Sequence, residues 1–399
     1  MKTAEEIAKS IPFSGEDDSL PQTPLTQAQY TSPEWHEYDL KHVFGRRWLF
    51  AGHGTQIKKP GEFFTFALGH ESVIVSRTKS GEIRAFHNSC RHRGTRVCQE
   101  TSGRKKYFTC PFHGWSYDLE GQLKVAPIMP DSFDKSRFPL KPVWSEEWAG
   151  MIFLNLSPEK PAGSVADHMR GIDLSPYQLD RTKVIADVTY EIDSNWKITA
   201  ETYQECYHCA LNHPELVRVI KTEEDLEEWA AAEGVQDTTD KDFLIWTSDA
   251  GPGMQEGAVT FSMDGQYVSK KMLGDGSATL PCAALSWFPN LGFFVQPDYA
   301  VTTSWLPTSP TTSVMRSTWL VHEDAVEGED YTIEGVKEIM DVTNEQDKRL
   351  CRLAQLGVNS SGYDNSAPYQ PQLEAPVRGF LDTYLDIVER GEQPVGVYR

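Results

Sequence analysis

The sequence predicts an α+β protein, with a small all-β domain ahead of a larger domain that combines antiparallel strands and helices. Short β-like runs separated by turns fill the first part of the chain, at 48–53, 62–68, 72–77 and 151–156. A segment rich in Pro, Gly and Ser at 158–180 is typical of a linker. We therefore expect three parts: a helical lead-in at 1–45 that packs on the larger domain, the β domain at 46–157, and the larger domain at 158–399.

The larger domain is predicted to alternate strands with helices. Helical periodicity indicates helices at 197–212, at 222–233, where the pattern is acidic, and from 333 onward. Strand-like runs lie at 184–192, 258–263, 283–288, 293–296, 301–305 and 313–322. The lead-in also has a helix-like stretch at 34–44.

Composition narrows the functional classes. The 399 residues carry 38 Lys and Arg against 58 Asp and Glu, a formal charge of −20, which argues against binding to a nucleic-acid backbone. Glu5 and Glu6 stand where a signal peptide needs a basic start, and no run reaches ~18 apolar residues, so we expect a cytoplasmic protein. The seven cysteines suit reduced thiols and metal ligands better than a disulfide framework.

The β domain contains four candidate ligands for an iron–sulfur cluster. Cys90 and His92 form Cys-x-His, and after seventeen residues Cys110 and His113 form Cys-x-x-His. Two thiolates and two imidazoles on two loops match a Rieske [2Fe–2S] centre, in which one iron takes both cysteines and the other both histidines. Neutral imidazole ligands raise the cluster potential to about −150 to +300 mV, which suits an electron acceptor.

A structural zinc site is the alternative for these four residues, because two Cys and two His also form a tetrahedral zinc shell. Short zinc loops usually pair like ligands, whereas each loop here supplies one Cys and one His. Gly94 and Gly114 follow the ligand stretches and allow tight turns, and Trp115 and Tyr117 are placed to shield the cluster. The pattern therefore favours the cluster over zinc.

A second set of candidate ligands lies in the larger domain. His208 and His213 are five residues apart, about 140° around an ideal helix, so an unbroken helix would not aim both at one ion. Pro214 disfavours helical geometry at His213, so that this imidazole is free to turn from the helix end towards His208. These two histidines need a carboxylate to complete the triad of an oxygen-activating iron(II).

Asp347 is the candidate carboxylate. The predicted helix at 335–355 has an apolar stripe, and position 347 falls within it, whereas Asp341 and Glu345 lie outside. An acid on a buried helix face is costly unless it is paired or bound to a metal. The sequence therefore predicts mononuclear iron held by His208, His213 and Asp347.

Glu205 and two cysteines surround these histidines. Glu205 lies three residues before His208, on the same face of the predicted helix, where it can bind a histidine of the other site and connect the two centres. Cys206 and Cys209 form Cys-x-x-Cys, typical of redox or zinc sites, but they bracket an iron-ligand candidate. We interpret them as packing thiols near the iron.

Taken together, these motifs resemble the α subunits of Rieske non-haem iron oxygenases, also called ring-hydroxylating oxygenases. The resemblance runs through both ligand sets and also includes Asn195-Trp196-Lys197, Tyr207-His208 and His213-Pro214. It implies a Rieske domain ahead of a helix-grip catalytic domain, usually in a homotrimer, where the cluster of one subunit serves the iron of its neighbour. It also implies a flavin or iron–sulfur reductase that passes electrons from NAD(P)H, with O2 and a small molecule as substrates.

The bridging carboxylate is usually Asp in this family, and here it is Glu205. A Glu beside Cys-Tyr-His-Cys resembles the branch that oxidises carnitine, glycine betaine and proline betaine, as do the stretches at 261–265 and 355–363. That resemblance implies oxygenation or N-demethylation of a quaternary amine. Aromatic faces bind such cations, and candidates by position are Tyr203, Trp287 and Phe293.

Two other functions stay open at this point. Within the enzyme class, the alternative is dihydroxylation or O-demethylation of an aromatic acid. Outside it, the chain could be an iron–sulfur electron carrier or a zinc protein.

Overall fold

The computed structural model describes residues 25–221, 235–236, 243–246, 254–275, 280, 282–363, 369–370 and 373–391. The described part of the chain forms two compact units. One covers Asp39–Lys183, and the other combines the residues up to Tyr38 with those from Val184 onward. No helix in the described ranges is long and apolar enough to cross a membrane.

The helices are short except for two near the end of the chain. They are α1 (Gln27–Thr31), α2 (Pro33–Tyr38), α3 (Val165–His168), α4 (Trp196–Thr202), α5 (Cys209–Asn212), α6 (Ile333–Val358) and α7 (Ala375–Arg390). The predicted helix-like stretch at 34–44 is α2 followed by a π-helical turn, Asp39–Val43.

The unit Asp39–Lys183 is built from two antiparallel sheets, as the alternating runs predicted. Its strands are β1 (Leu49–His53), β2 (Glu62–Leu68), β3 (Glu71–Arg77), β4 (Ile83–His87), β5 (Ser102–Arg104), β6 (Phe108–Thr109), β7 (Ser116–Tyr117), β8 (Leu123–Val125), β9 (Pro142–Trp148) and β10 (Met151–Asn155). The larger sheet has the order β1-β10-β9-β4-β3-β2-β5, and the smaller β6-β7-β8. Alternate side chains of β2 and β3, such as Phe63 and Ile74, enter a core that also holds Cys90, Cys110 and Trp115.

The Pro-rich segment at 158–180 is attached to this unit rather than extended. It contains α3 and two 3₁₀ turns, Ser175–Tyr177 and Leu179–Arg181. Trp48 donates from Nε1 to the Gly163 carbonyl at 2.8 Å, and Val165 donates its backbone N–H to Glu146 at 2.7 Å. These bonds fix the segment against β1 and β9.

The other unit is centred on one seven-stranded sheet. Its strands are β11 (Thr182–Ile192), β12 (Val235–Gln236), β13 (Phe243–Trp246), β14 (Ala283–Trp287), β15 (Leu291–Val295), β16 (Ala300–Ser309) and β17 (Thr312–His322), in the order β11-β17-β16-β15-β14-β13-β12. The predicted strands at 184–192, 283–288, 293–296, 301–305 and 313–322 correspond to β11 and β14 to β17.

Helix α6 covers this sheet with its apolar face. Val336, Ile339 and Met340 are buried against Trp319 and Val321 of β17 in one core cluster. Thr332 caps the helix by accepting the backbone N–H of Gly335. The buried stripe continues through Thr343 and Asn344 to the buried Asp347, as its period predicted.

Two predicted elements of this unit were wrong, and a third lies outside the described residues. Residues 258–263 form bends and a turn instead of a strand. Thr260 in this segment donates its hydroxyl to the buried carboxylate of Asp298 at 2.7 Å, and the same carboxylate accepts the Ser269 N–H at 3.0 Å. The predicted helix at 197–212 is two helices, α4 and α5, with six residues between them. The predicted acidic helix at 222–233 lies outside the described residues.

Helix α4 carries a buried ion cluster. Lys197 is fully buried, with its Nζ 4.9 Å from the ring centre of Tyr384 and 5.2 Å from that of Trp196. Glu201, one turn later, accepts the Tyr30 hydroxyl at 2.8 Å. Burial raises the pKa of Glu201 to about 7, against lowering contributions from the Tyr30 bond and the Lys197 charge.

Glu201→Gln is expected to stabilise the protein at pH 8 and to remove one source of pH dependence. In the native state Glu201 ionises near pH 7, but unfolded it ionises near its ordinary pKa of 4.5. Stability from the neutral form is therefore present below pH 4.5 and is lost as pH rises to 7, a loss of up to about 3 kcal/mol. Urea unfolding of the wild-type protein and the variant at pH 5 and pH 8 checks this. If the difference in unfolding free energy between the two proteins is the same at both pH values, the prediction is contradicted.

Candidate functional site

The first candidate site is formed by two matching loops of the β unit. Each runs from a cysteine to a glycine four residues later: Gly94 donates its N–H to the Cys90 carbonyl at 2.9 Å, and Gly114 to the Cys110 carbonyl at 3.0 Å. Both glycines have left-handed φ, +74° and +72°, which side-chain-bearing residues rarely adopt. The same tight turn closes both loops, as the two glycines predicted.

The four predicted ligands converge between these loops. His92 and His113 are exposed, and their Nδ1 atoms lie 3.1 Å apart, while Cys90 and Cys110 are buried free thiols. Burial raises the pKa of Cys110, whereas the backbone N–H groups of Phe112 and His113 favour its thiolate. Two ring nitrogens facing each other and two neighbouring sulfurs form a donor set that fits a [2Fe–2S] cluster.

Aromatic side chains pack against two of the four predicted ligands. Trp115 stacks on His92 with ring centres 4.8 Å apart and an interplanar angle of 11°. Tyr117 is fully buried, and its hydroxyl lies 3.3 Å from Cys90 Sγ while it accepts the N–H of Arg91 at 3.0 Å. Because Arg91 supplies a donor to the oxygen, the Tyr117 hydroxyl hydrogen is free to point at the sulfur.

Tyr117→Phe is expected to lower the reduction potential of the cluster by about 20–60 mV. Cys90 is a predicted cluster ligand, and a hydrogen bond to a ligand sulfur stabilises the reduced, more negative state. A bond worth ~0.5–1.5 kcal/mol converts to that range for one electron. Spectroelectrochemical titration measures the shift. Tyr107→Phe, at an exposed tyrosine, is the control and should leave the potential unchanged.

The second candidate site is formed where α4 and α5 are separated. His208 is the residue before α5 and His213 the residue after it, so one helical turn carries a histidine at each end. The structure confirms that His213 leaves helical geometry, with φ −120° and ψ 69°, as Pro214 predicted. This arrangement aims both Nε2 atoms at one point, with 3.0 Å between them.

Asp347 of α6 completes the group. Its Oδ1 lies 3.2 Å from His208 Nε2 and 3.0 Å from His213 Nε2. This oxygen is buried and has no hydrogen-bond partner among the described residues. Metal bonds of about 2.0–2.2 Å at right angles place neighbouring donor atoms about 3 Å apart, so the three atoms fit one face of an octahedral ion.

The charge of the site also suits a cation. Burial alone lowers the pKa of His208, but the nearby carboxylates of Asp347 and Glu205 outweigh burial and raise that pKa to about 10. Glu205 Oε1 lies 2.5 Å from His208 Nδ1, and Glu205 Oε2 also accepts the backbone N–H of Tyr207. The carboxylates therefore favour a positive charge where the two imidazoles meet.

The two neighbouring cysteines differ from our prediction. Cys206 and Cys209, expected to be packing thiols, are joined by a disulfide. Their Cα atoms are 4.9 Å apart, within the span of a disulfide, because the chain turns between α4 and α5. The Cys209 sulfur lies within 4.8 Å of a donor nitrogen of each histidine, but as half of a disulfide it is not a thiolate ligand.

The three candidate substrate residues are placed differently. Tyr203 ends α4, stacks on Trp305 with ring centres 6.0 Å apart, and donates to Asn344 at 2.9 Å. Burial and the Asp347 charge raise its pKa well above 10, so it is a neutral phenol. Trp287 and Phe293 lie in β14 and β15 and are almost fully buried, which is the environment of core residues.

The sequence did not predict the roles of Gln346 and Glu215, which form a hydrogen-bonded pair on the Nδ1 side of His213. His213 Nδ1 lies 2.8 Å from Gln346 Oε1, and Gln346 Nε2 donates to Glu215 at 2.8 Å. The only signal in the sequence is adjacency, since Gln346 precedes Asp347 and Glu215 follows His213 by two residues.

Comparison with known families defines the class. The family model for the Rieske [2Fe-2S] domain matches residues 47–139, and the one for the ring hydroxylating alpha subunit (catalytic domain) matches 179–390. The chain belongs to the Rieske non-haem iron oxygenases, as an oxygenase subunit with a β-rich Rieske domain and a catalytic domain of antiparallel sheet and helices. The alternatives of a zinc protein and of a simple electron carrier are thereby excluded.

Individual relatives differ in how much of the chain they match. The glycine betaine monooxygenase oxygenase subunit of Pseudomonas aeruginosa is 33% identical over 386 residues, 91% of this chain and 88% of the relative. The chlorobenzene dioxygenase subunit alpha of a Cupriavidus species is 39% identical, but over 45% of this chain and 42% of its own. A crystal structure of the quaternary ammonium Rieske monooxygenase CntA has a TM-score of 0.71 at 22% identity, covering 91% of this chain and 94% of that one.

Proposed function

We propose that this chain is the terminal oxygenase that oxygenates or N-demethylates a small quaternary ammonium compound, of the glycine betaine, proline betaine or carnitine type. The observation that carries the oxygenase part is the group of three donor atoms with an unpaired buried Asp347 oxygen. The substrate class rests on the near full-length similarity to a glycine betaine monooxygenase subunit, whereas the aromatic dioxygenase matches less than half of the chain.

In this proposal Cys90, His92, Cys110 and His113 hold the [2Fe–2S] cluster, and His208, His213 and Asp347 hold the mononuclear iron(II). The cluster supplies electron storage, and iron with open coordination positions supplies oxygen activation. Asp347 and the Nε2 atoms of both histidines direct three lone pairs to one point. Trp115 stacks on His92 and shares a buried core with Cys90 and Cys110, and Tyr203 lies near Asp347 as a neutral phenol.

The overall reaction balances as a two-electron oxygenation. One oxygen atom of O2 enters a C–H bond of an N-methyl group, and the other leaves as water with two protons and two electrons. The resulting carbinolamine breaks its C–N bond and releases formaldehyde and the tertiary amine. A flavin or iron–sulfur reductase supplies both electrons from NAD(P)H. Aromatic faces bind such cations, and of the three predicted residues Tyr203, near Asp347, is the stronger candidate, because Trp287 and Phe293 lie in a core environment.

We also propose that Glu205 connects two subunits of a homotrimer. It bonds His208 directly and its side chain is partly exposed, at 11%. Beside it, Tyr207 and Leu211 are 52% and 88% exposed, while at the cluster loops Phe112 is 53% exposed. Exposed apolar residues next to both sets of ligands suit contact surfaces between chains. The cluster of one subunit would then face Glu205 of its neighbour.

Reductase-supported turnover of a substrate panel tests the proposed function. Glycine betaine, proline betaine and carnitine are compared with vanillate and benzoate, with oxygen uptake, formaldehyde and the organic product measured in each. We expect product from a quaternary amine. Because O-demethylation of vanillate also gives formaldehyde, the organic product decides, and turnover confined to the aromatic acids would refute the substrate class.

A further inference from the structure

We propose that Glu215 and Gln346 set the tautomer of His213 and so keep its Nε2 available to a metal, which makes Gln346 a positioning residue for the iron site. This Glu215–Gln346–His213 relay rests on the proposed assignment of His213 as an iron ligand. It concerns residues on the far side of the imidazole from the three donor atoms, and it gives Gln346 and Glu215 a role that the ligand set alone does not contain.

The direction of each hydrogen bond in the relay follows from Glu215. An ionised carboxylate only accepts, so the group of Gln346 that faces Glu215 at 2.8 Å must be the amide N–H. The opposite amide orientation would put the Gln346 carbonyl against the carboxylate, and the amide nitrogen against His213. Glu215 is partly exposed, and a carboxyl group with the ordinary pKa of about 4.3 is ionised at neutral pH.

The fixed amide then fixes the imidazole. With its N–H on Glu215, Gln346 presents its carbonyl oxygen to His213 Nδ1 at 2.8 Å. A carbonyl only accepts, so Nδ1 must carry the proton and the neutral ring leaves its lone pair on Nε2. That Nε2 is the atom 3.0 Å from both Asp347 Oδ1 and His208 Nε2. A half-buried carboxylate thus selects the tautomer of a buried ligand through one amide.

The two histidines therefore have different hydrogen-bond partners at Nδ1. His208 Nδ1 bonds the carboxylate of Glu205 directly, whereas His213 Nδ1 bonds a neutral amide that is polarised by a carboxylate. Outer partners of this kind orient ligating histidines, and their loss typically weakens metal affinity or activity 10–100-fold. Gln346 is adjacent to Asp347 on α6, so one helix positions both a carboxylate donor and the relay.

Loss of iron to a chelator tests the relay without relying on activity. The holoprotein is dialysed against graded chelator, and the mononuclear iron retained is measured with the cluster absorbance as the control for folding. Gln346→Leu removes the acceptor for Nδ1 and is expected to weaken iron retention about 10–100-fold. Glu345→Gln, at the neighbouring exposed carboxylate on α6, is the matched control and should retain iron normally.

A double variant separates the relay from a merely structural effect. Gln346→Glu alone places two carboxylates against each other and should lose iron. Adding Glu215→Gln restores a donor to face the new carboxylate, which again accepts from His213 Nδ1, so retention should rise about tenfold over Gln346→Glu. If Gln346 only filled space, the second substitution would not be expected to restore iron retention. If Gln346→Leu folds poorly, Glu215→Leu, which frees the amide to turn, supplies the loss arm.

The outcomes distinguish the relay from the iron site. If His213→Ala retains its mononuclear iron, the assignment of His213 as a ligand is wrong, and the relay fails with it. If His213→Ala loses iron while Gln346→Leu retains it like Glu345→Gln, the relay alone is overturned. Failure of the double variant to recover iron would also overturn it.

Discussion

Asp347→Ala is expected to abolish substrate-dependent oxygen uptake and to remove the mononuclear iron while leaving the [2Fe–2S] cluster in place. The carboxylate is the proposed anionic donor of the iron site, and its Oδ1 lies 3.0–3.2 Å from both histidine nitrogens. Loss of a direct ligand should cost more than the ~100-fold that loss of an outer partner costs. Iron analysis should fall from about three atoms per chain to about two, with an unchanged Rieske absorption spectrum.

The control for this variant is Glu345→Ala, which removes an exposed carboxylate two residues away on α6. It should keep all iron and full activity. An Asp347→Ala protein that binds its third iron and turns over at the wild-type rate would show that another residue completes the triad.

Glu205→Leu, loaded with excess iron(II) to offset an iron site expected to be 10–100-fold weaker, is expected to block electron transfer between the centres. The Glu205 carboxylate bonds His208 Nδ1 and is partly exposed, so it is the group through which a neighbouring cluster is proposed to connect to the iron. Reduced cluster should accumulate during turnover, and its reoxidation on mixing with substrate and O2 should slow by about 10–100-fold, since a direct contact to a proposed ligand is lost.

Stopped-flow absorbance of the cluster measures this reoxidation. Glu338→Leu, at an acidic position of α6, provides the control and should reoxidise at the wild-type rate. Normal reoxidation in Glu205→Leu would remove Glu205 from the electron path, whereas loss of iron from that variant would limit its role to holding His208.

The two iron sites differ in how far the sequence alone predicts them. The four proposed cluster ligands lie on two short loops, so their spacing and the glycines Gly94 and Gly114 determine the local geometry directly. The proposed mononuclear site joins His208 to Asp347, 139 residues later in the chain. Helical periodicity nevertheless selects Asp347, because a carboxylate within an apolar stripe requires a partner.

The helix break between Thr202 and Cys209 was not predictable from periodicity. Residues 203–208 have helix-compatible composition, but Tyr203 and Gln204 bond outward, to Asn344 and Ser286, and Glu205 turns back to its own neighbours. These tertiary bonds outweigh local propensity. The disulfide follows from the same turn. Gln346 was missed because its role depends on Glu215, which only the fold brings within 2.8 Å.

A single turnover without any reductase tests most directly whether the two iron centres of this protein act together to oxygenate a quaternary amine. The protein is reduced chemically, freed of reductant, and mixed with O2 and glycine betaine, proline betaine or carnitine. The cluster and the iron(II) hold two electrons per chain, so we expect cluster reoxidation together with up to roughly one formaldehyde and one demethylated amine per chain for one of them. Reoxidation that yields no oxygenated product from any of these amines, but does yield product from vanillate or benzoate, would contradict the account.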